Sequence, residues 1–91
     1  MTTYRADGFR PIHKSTDMYG EVQNVSDAAA LFAGRLARRE YGRRAYCRTI
    51  RADSWAMDGS SHTFEAFIGT DDEQGNTVGR NVWVYVDVDH A

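Results

Sequence analysis

The chain has 91 residues, of which 42% are hydrophobic, and this size and composition are typical of one small domain with a single core. Its one cysteine, Cys47, excludes an internal disulfide, and its apolar runs are too short for a transmembrane helix. Because the N-terminus is polar and lacks the apolar stretch of a signal peptide, we expect one cytoplasmic domain over residues 1–91, with a net charge of −2.

Charge is strongly segregated along the chain. Residues 35–51 contain seven arginines and one glutamate, whereas residues 52–91 contain eight acidic residues and one arginine. Such a chain presents one basic and one acidic surface, unless the two neutralise each other in the fold. This asymmetry concerns partners and association rather than fold.

Residues 1–25 form the least regular part, and we expect a loop-rich N-terminal segment. Thr2–Ala6 is compatible with a short edge strand. The pair Asp7-Gly8 is typical of a turn.

A helix is predicted over residues 27–41. Ser26 or Asp27 supplies an N-cap, and the alanine-rich run that follows has high helix propensity. A thin apolar stripe at helical spacing indicates one buried face: Val25, Ala28, Ala29, Phe32 and Leu36. Gly42 is expected to end the helix.

Three antiparallel strands are predicted over residues 44–88. Asp58-Gly59 favours a tight turn between the first two, which places Trp55 opposite His62, Asp53 opposite Phe64, and Cys47 near residues 70–72. A turn on Gly59-Ser60 is the alternative, and it shifts the register by two residues without moving any residue to the other face. The first of these strands allows for a bulge.

The last strand alternates clearly, with valines on one face and Trp83 and Tyr85 on the other. The predicted fold is α+β, one amphipathic helix packed on an antiparallel sheet of three to four strands.

The chain shows no pattern typical of catalysis, and we expect no enzyme. Cys47 has no histidine in reach in the predicted register, since His62 lies far along the hairpin and His13 and His90 lie in the terminal segments. Histidine and cysteine spacing fits no metal site, and the glycines match no nucleotide-binding motif. We therefore predict no catalytic residues, no metal and no cofactor.

The arginine-rich segment has two interpretations. One is a phosphate-contacting patch. The other is a solvated helix end whose arginines pair with the acidic half of the chain. The candidate partner-binding arginines are Arg38, Arg39, Arg43, Arg44 and Arg48.

Trp83 and Tyr85, with Phe67 and Tyr46 as further candidates on the same face, could stack bases or anchor a protein interface. We favour the alternative that residues 1–25 fold over this face and bury the pair. The apolar residues available as cover are Phe9, Ile12, Met18, Tyr19 and Val22.

The acidic residues form a third candidate surface, able to engage a basic groove on a partner in the manner of a phosphate backbone. Ordinary solubility is the commoner reason for such residues. The candidates are Asp71, Asp72, Glu73, Asp87 and Asp89.

One part of the chain has a resemblance. Residues 41–51, continuing through Asp53-Ser54-Trp55 to residues 61–69, resemble small uncharacterised proteins of bacteriophages and prophages. Some phage proteins of this size and charge pattern are anti-CRISPR proteins. The resemblance implies an inhibitor of a host CRISPR–Cas effector complex that acts by steric block or by nucleic-acid mimicry.

We therefore expect a small non-catalytic binding protein of this phage-encoded type, acting in the host cytoplasm on a protein or ribonucleoprotein partner. One alternative is a nucleic-acid-binding module that uses the basic segment over residues 35–51. Another is an accessory homodimer that pairs through an exposed strand edge.

Overall fold

A computed structural model describes residues 1–11, 18–55 and 61–89 and shows one helix packed on a five-stranded antiparallel sheet. The elements are β1 (Thr2–Arg10), β2 (Tyr19–Val22), α1 (Val25–Tyr41), β3 (Tyr46–Trp55), β4 (Ser61–Asp71) and β5 (Thr77–Val88). The strand order is β2–β1–β5–β4–β3, so the last strand of the chain lies at the centre. The α+β class is confirmed, and the sheet has one strand more than the three to four predicted.

The N-terminal segment, which was expected to be rich in loops, supplies two strands, and the short edge strand considered at Thr2–Ala6 is part of β1, which extends to Arg10 and lies inside the sheet. β1 pairs along β5, from Tyr4 opposite Val88 to Arg10 opposite Trp83. Asp7-Gly8 is not a turn, because the chain continues through it and the register shifts there by one residue. The Asp7-Gly8 pair, although typical of a turn, therefore forms a β-bulge in a strand that pairs with a distant part of the chain.

The helix α1 begins two residues before the predicted position. The Asn24 side chain accepts a hydrogen bond from the backbone N–H of Asp27 at 2.9 Å, so Asn24 is the N-cap and the choice of Ser26 or Asp27 was wrong. At the other end, the N–H of Gly42 donates to the carbonyl of Arg38 at 3.0 Å. Gly42 has a φ of 99°, which favours glycine over residues with a side chain.

The core lies between α1 and one face of the sheet. Four alanines of α1 are fully buried, which lets the helix axis approach the strands closely. Phe32 and Leu36 of α1 belong to the same buried cluster as Val82, Val84 and Val86 of β5. The burial on the helix follows the predicted stripe, with the exception of Val25, which is only partly buried.

The β3–β4 pairing shows where local register arguments succeed and fail. Trp55 lies opposite His62, as predicted. Two register shifts follow along β3, so Ala52 rather than Asp53 lies opposite Phe64, and Cys47 lies opposite Ile68 rather than residues 70–72. Each shift adds an unpaired residue to β3, which a constant-register argument cannot anticipate. The predicted turn at Asp58-Gly59 lies outside the described residues.

In the described parts of the chain, α1 is not apolar enough over a sufficient length to cross a membrane.

Candidate binding surface on the open face of the sheet

Trp83 and Tyr85 lie on the face of the sheet that α1 does not cover. Since successive side chains of a strand point to opposite faces, the buried valines of β5 direct Trp83 and Tyr85 away from the helix. Trp83 is 37% exposed and Tyr85 is half-buried. A large, partly exposed aromatic side chain therefore occupies the middle of the central strand.

Among the described residues, the N-terminal segment does not fold over this face as expected, although Arg10 and Pro11 line its border. Residues 2–10 enter the sheet beside β5 and do not cross it, and Phe9 is buried in the core on the helix side. Met18 and Val22 also pack against that core, while Tyr19 is half-exposed. Ile12 lies outside the described residues.

The open face contains a concavity of about 640 Å³ around these two aromatic rings. It is lined by Arg10, Pro11, Asp53, Thr63, Asn81, Trp83 and Tyr85. Arg10 comes from β1 and places its guanidinium carbon 5.9 Å from the centre of the Tyr85 ring, a cation–π distance. Asp53 comes from the opposite side of the concavity, at the second bulge of β3.

Most charges around this concavity are already paired. Arg51 Nη2 lies 2.7 Å from Glu65 Oε1, and Arg5 Nη2 lies 3.6 Å from Asp87 Oδ2. Among the described residues, neither Arg10 nor Asp53 takes part in an ion pair. The concavity thus has one cation and one carboxylate on opposite sides of an aromatic floor.

Sequence reasoning identified the two aromatic residues and missed the others that line the concavity. Arg10 approaches Tyr85 only because β1 pairs with β5, and no local sequence pattern predicts that pairing. Asp53 borders the concavity as the extra residue of a β-bulge, and no local pattern in the sequence marked the position of that bulge. Asn81 was detectable, since it alternates in phase with Trp83 along the same strand.

The predicted acidic surface is divided between the two ends of β5. Asp71, Asp72 and Glu73 lie where β4 ends and the turn to β5 begins, whereas Asp87 and Asp89 lie at the far end. A strand of 12 residues separates the groups by roughly 35 Å. These five carboxylates therefore do not form one continuous patch.

Several of these carboxylates have structural roles. Asp72 Oδ1 accepts hydrogen bonds from the backbone N–H groups of Gln74 and Asn76, which fixes the β4–β5 turn. Asp71 accepts from the hydroxyl groups of Tyr46 and Thr77. The Asp87 carboxylate pairs with Arg5, whereas the contact of Asp89 with Thr3 is made by its backbone N–H. Glu73 is exposed in the turn.

The basic candidates lie near the end of α1 and all of them are exposed. Arg38 and Arg39 belong to the last helical turn, and Arg43 and Arg44 follow it. Arg48 lies at the first bulge of β3 and donates a hydrogen bond to the hydroxyl of Thr77. The ion pairs formed by the described residues include none of these five arginines.

Both edges of the sheet have features that oppose strand addition. The β3 edge has two bulges and exposed arginines, which are common devices against edge pairing. The β2 edge is only four residues long, and Arg35 Nη1 donates to the carbonyl of Tyr19 at 2.7 Å. These features weigh against the homodimer alternative, which requires an available edge.

The Cys47 thiol is in an environment that suppresses its reactivity. Burial raises the pKa of Cys47, so less thiolate is present at neutral pH. Its Sγ lies 3.3 Å from the carbonyl oxygen of Thr49. It pairs with Ile68, six residues along β4 from His62, which is about 20 Å. His13 and His90 lie outside the described residues.

The described residues contain no group of three or more histidine, cysteine, aspartate or glutamate side chains arranged to hold a metal ion.

Comparison of the chain with protein-family models, curated proteins and solved structures finds no match.

Proposed function

We propose that this protein is a small non-catalytic binding protein that contacts its partner through the open face of the sheet, centred on Trp83 and Tyr85. The observation that carries the proposal is the exposure of Trp83 at the middle of the central strand. Tryptophan and tyrosine are enriched among the residues that dominate binding energy at protein interfaces. A concavity around them gives a partner side chain a place to insert.

The state of Cys47 supports a non-catalytic role. A nucleophilic cysteine needs a lowered pKa or a base within hydrogen-bonding distance. Burial raises the pKa of Cys47, and the imidazole of His62 lies far along the neighbouring strand.

The partner in this proposal is a host CRISPR–Cas effector complex, the class implied by the resemblance of residues 41–51, 53–55 and 61–69 to phage proteins. Steric block fits better than nucleic-acid mimicry. Mimicry of a phosphate backbone requires a continuous row of carboxylates, and the acidic candidates occupy opposite ends of β5, with Asp72 and Asp87 engaged in contacts within the protein.

The test is affinity purification of the tagged protein from bacteria that express different CRISPR–Cas types, together with plaque counts for a phage targeted by each system. We expect retention of one effector complex and recovery of plaques in the same host. If no effector type is retained and no plaques are recovered, the CRISPR–Cas assignment is wrong.

Nucleic-acid binding is a second candidate, favoured by the exposure of Arg38, Arg39, Arg43 and Arg44 and by their absence from ion pairs among the described residues. Four phosphate contacts predict a log–log salt slope of about −3 to −4. Replacing all four arginines with glutamine removes that slope, whereas Arg80→Gln, an exposed arginine of β5, leaves it unchanged. Electrophoretic shifts over a salt series measure both. A wild-type protein that shifts neither DNA nor RNA at low salt contradicts this candidate.

A further inference from the structure

The concavity brings together a carboxylate and an aromatic ring that form no ion pair or core contact with the described residues. Asp53 is exposed at the bulge of β3, and among the described residues it forms no ion pair. The Trp83 ring lies two strands away on β5, at a strand-to-strand separation of about 10 Å. A carboxylate and an indole ring therefore border the same open space.

The residues of β4 leave room between these two groups. Thr63, which pairs with both Ser54 and Tyr85, is short and forms the floor of the concavity at this level. Glu65, the next residue on this face, is held toward β3 by its ion pair with Arg51. Asp53 therefore remains the carboxylate available to a ligand that enters above Thr63.

These contacts complement a cation that also has a flat surface. A cation is attracted to the face of an aromatic ring, most strongly to tryptophan, and a carboxylate adds charge-assisted hydrogen bonds. A guanidinium group satisfies both contacts at once, because it is planar and presents paired N–H donors. Arg10 lies opposite Trp83 on β1 and places its guanidinium over the Tyr85 ring, so a second cation is favoured on the β3 side of Trp83, where Asp53 lies.

We propose that the open face binds an arginine side chain of a partner protein, held between the Trp83 ring and the Asp53 carboxylate. This inference rests on the proposed function, since it names the chemistry recognised by the same surface. A nucleic-acid strand fits the site less well than a protein, because the carboxylate of Asp53 would repel a phosphate, and the nearby Arg51 and Arg5 are already paired with Glu65 and Asp87.

The test uses N-acetyl-arginine methylamide as the probe and its neutral isostere N-acetyl-citrulline methylamide as the matched control. The readout is the indole N–H resonance of Trp83 in NMR spectra of the whole chain, assigned by its loss in the Trp83→Phe variant. We expect a saturable millimolar response to the arginine probe and a much weaker one to citrulline. Asp53→Asn should weaken arginine binding by about threefold to tenfold, whereas Glu40→Gln, on the exposed side of α1, should not change it.

Equal responses to arginine and citrulline, or an unchanged affinity in Asp53→Asn, would overturn the arginine site. A deoxythymidine decamer that moves the Trp83 resonance more strongly than the arginine probe would also overturn it and would indicate nucleic acid as the ligand. If the effector complex is still retained through Trp83 after either result, the proposed function stands and only the arginine site is lost. If no effector complex is retained but the arginine probe binds as expected, the arginine site stands and only the CRISPR–Cas assignment is lost.

Discussion

Replacing Gly79 with alanine is expected to lower the free energy of unfolding by about 2 to 3 kcal/mol. Gly79 of β5 lies opposite Gly69 of β4, where the two backbones approach closely. A Cβ atom on Gly79 would overlap the carbonyl oxygen of Ile68 and lie 2.9 Å from the Gly69 Cα atom. Both atoms belong to the backbone of β4, whose pairing with β5 is the longest in the sheet. The clash can therefore be removed only by moving the two hydrogen-bonded strands apart.

Urea denaturation of the wild type and the variant measures this effect. Gly8→Ala is the matched control, because Gly8 also lies within a strand and a Cβ there would have no atom within 4 Å. The control should stay within about 0.5 kcal/mol of the wild type. Gly69→Ala should resemble Gly79→Ala, since its Cβ would overlap the carbonyl oxygen of Val78. A Gly79→Ala variant that is as stable as Gly8→Ala would contradict the close approach.

Elements fixed by local periodicity were predictable from the sequence. The alternation of Val82, Val84 and Val86 identified β5 and its buried face, and Phe32 and Leu36 identified the buried stripe of α1. Gly42 identified the end of the helix, because a positive φ favours glycine. In each case the sequence pattern and the element that it predicts lie within the same few residues of the chain.

The features that define the concavity depend on distant parts of the chain. β1 joins β5 across more than 70 residues, and this pairing places Arg10 beside Tyr85 and leaves the aromatic face open. The bulge at Asp53 breaks the constant register that was predicted from the Asp58-Gly59 turn. Sequence alone therefore identified Trp83 and Tyr85 and mistook the N-terminal strand for their cover.

The second large effect is expected at Trp83. Trp83→Ala should weaken binding to the effector complex by about 30-fold or more, since truncation of a central aromatic anchor typically costs 2 kcal/mol or more of binding free energy. The same change should cost about 1 kcal/mol or less in stability, because Trp83 is 37% exposed and lies outside the core beneath α1. A large loss of affinity with a small loss of stability distinguishes an interface residue from a core residue.

The measurement is the dissociation constant for the complex that affinity purification identifies, paired with urea denaturation of each variant. Val78→Ala is the matched control, because Val78 is 50% exposed on the same strand but lies on the opposite face. Its affinity should equal that of the wild type. If Trp83→Ala binds as tightly as Val78→Ala, the open face is not the contact surface, and the exposed arginines at the end of α1 become the region to test. The comparison is decisive because both side chains belong to β5 and differ in the face from which they project.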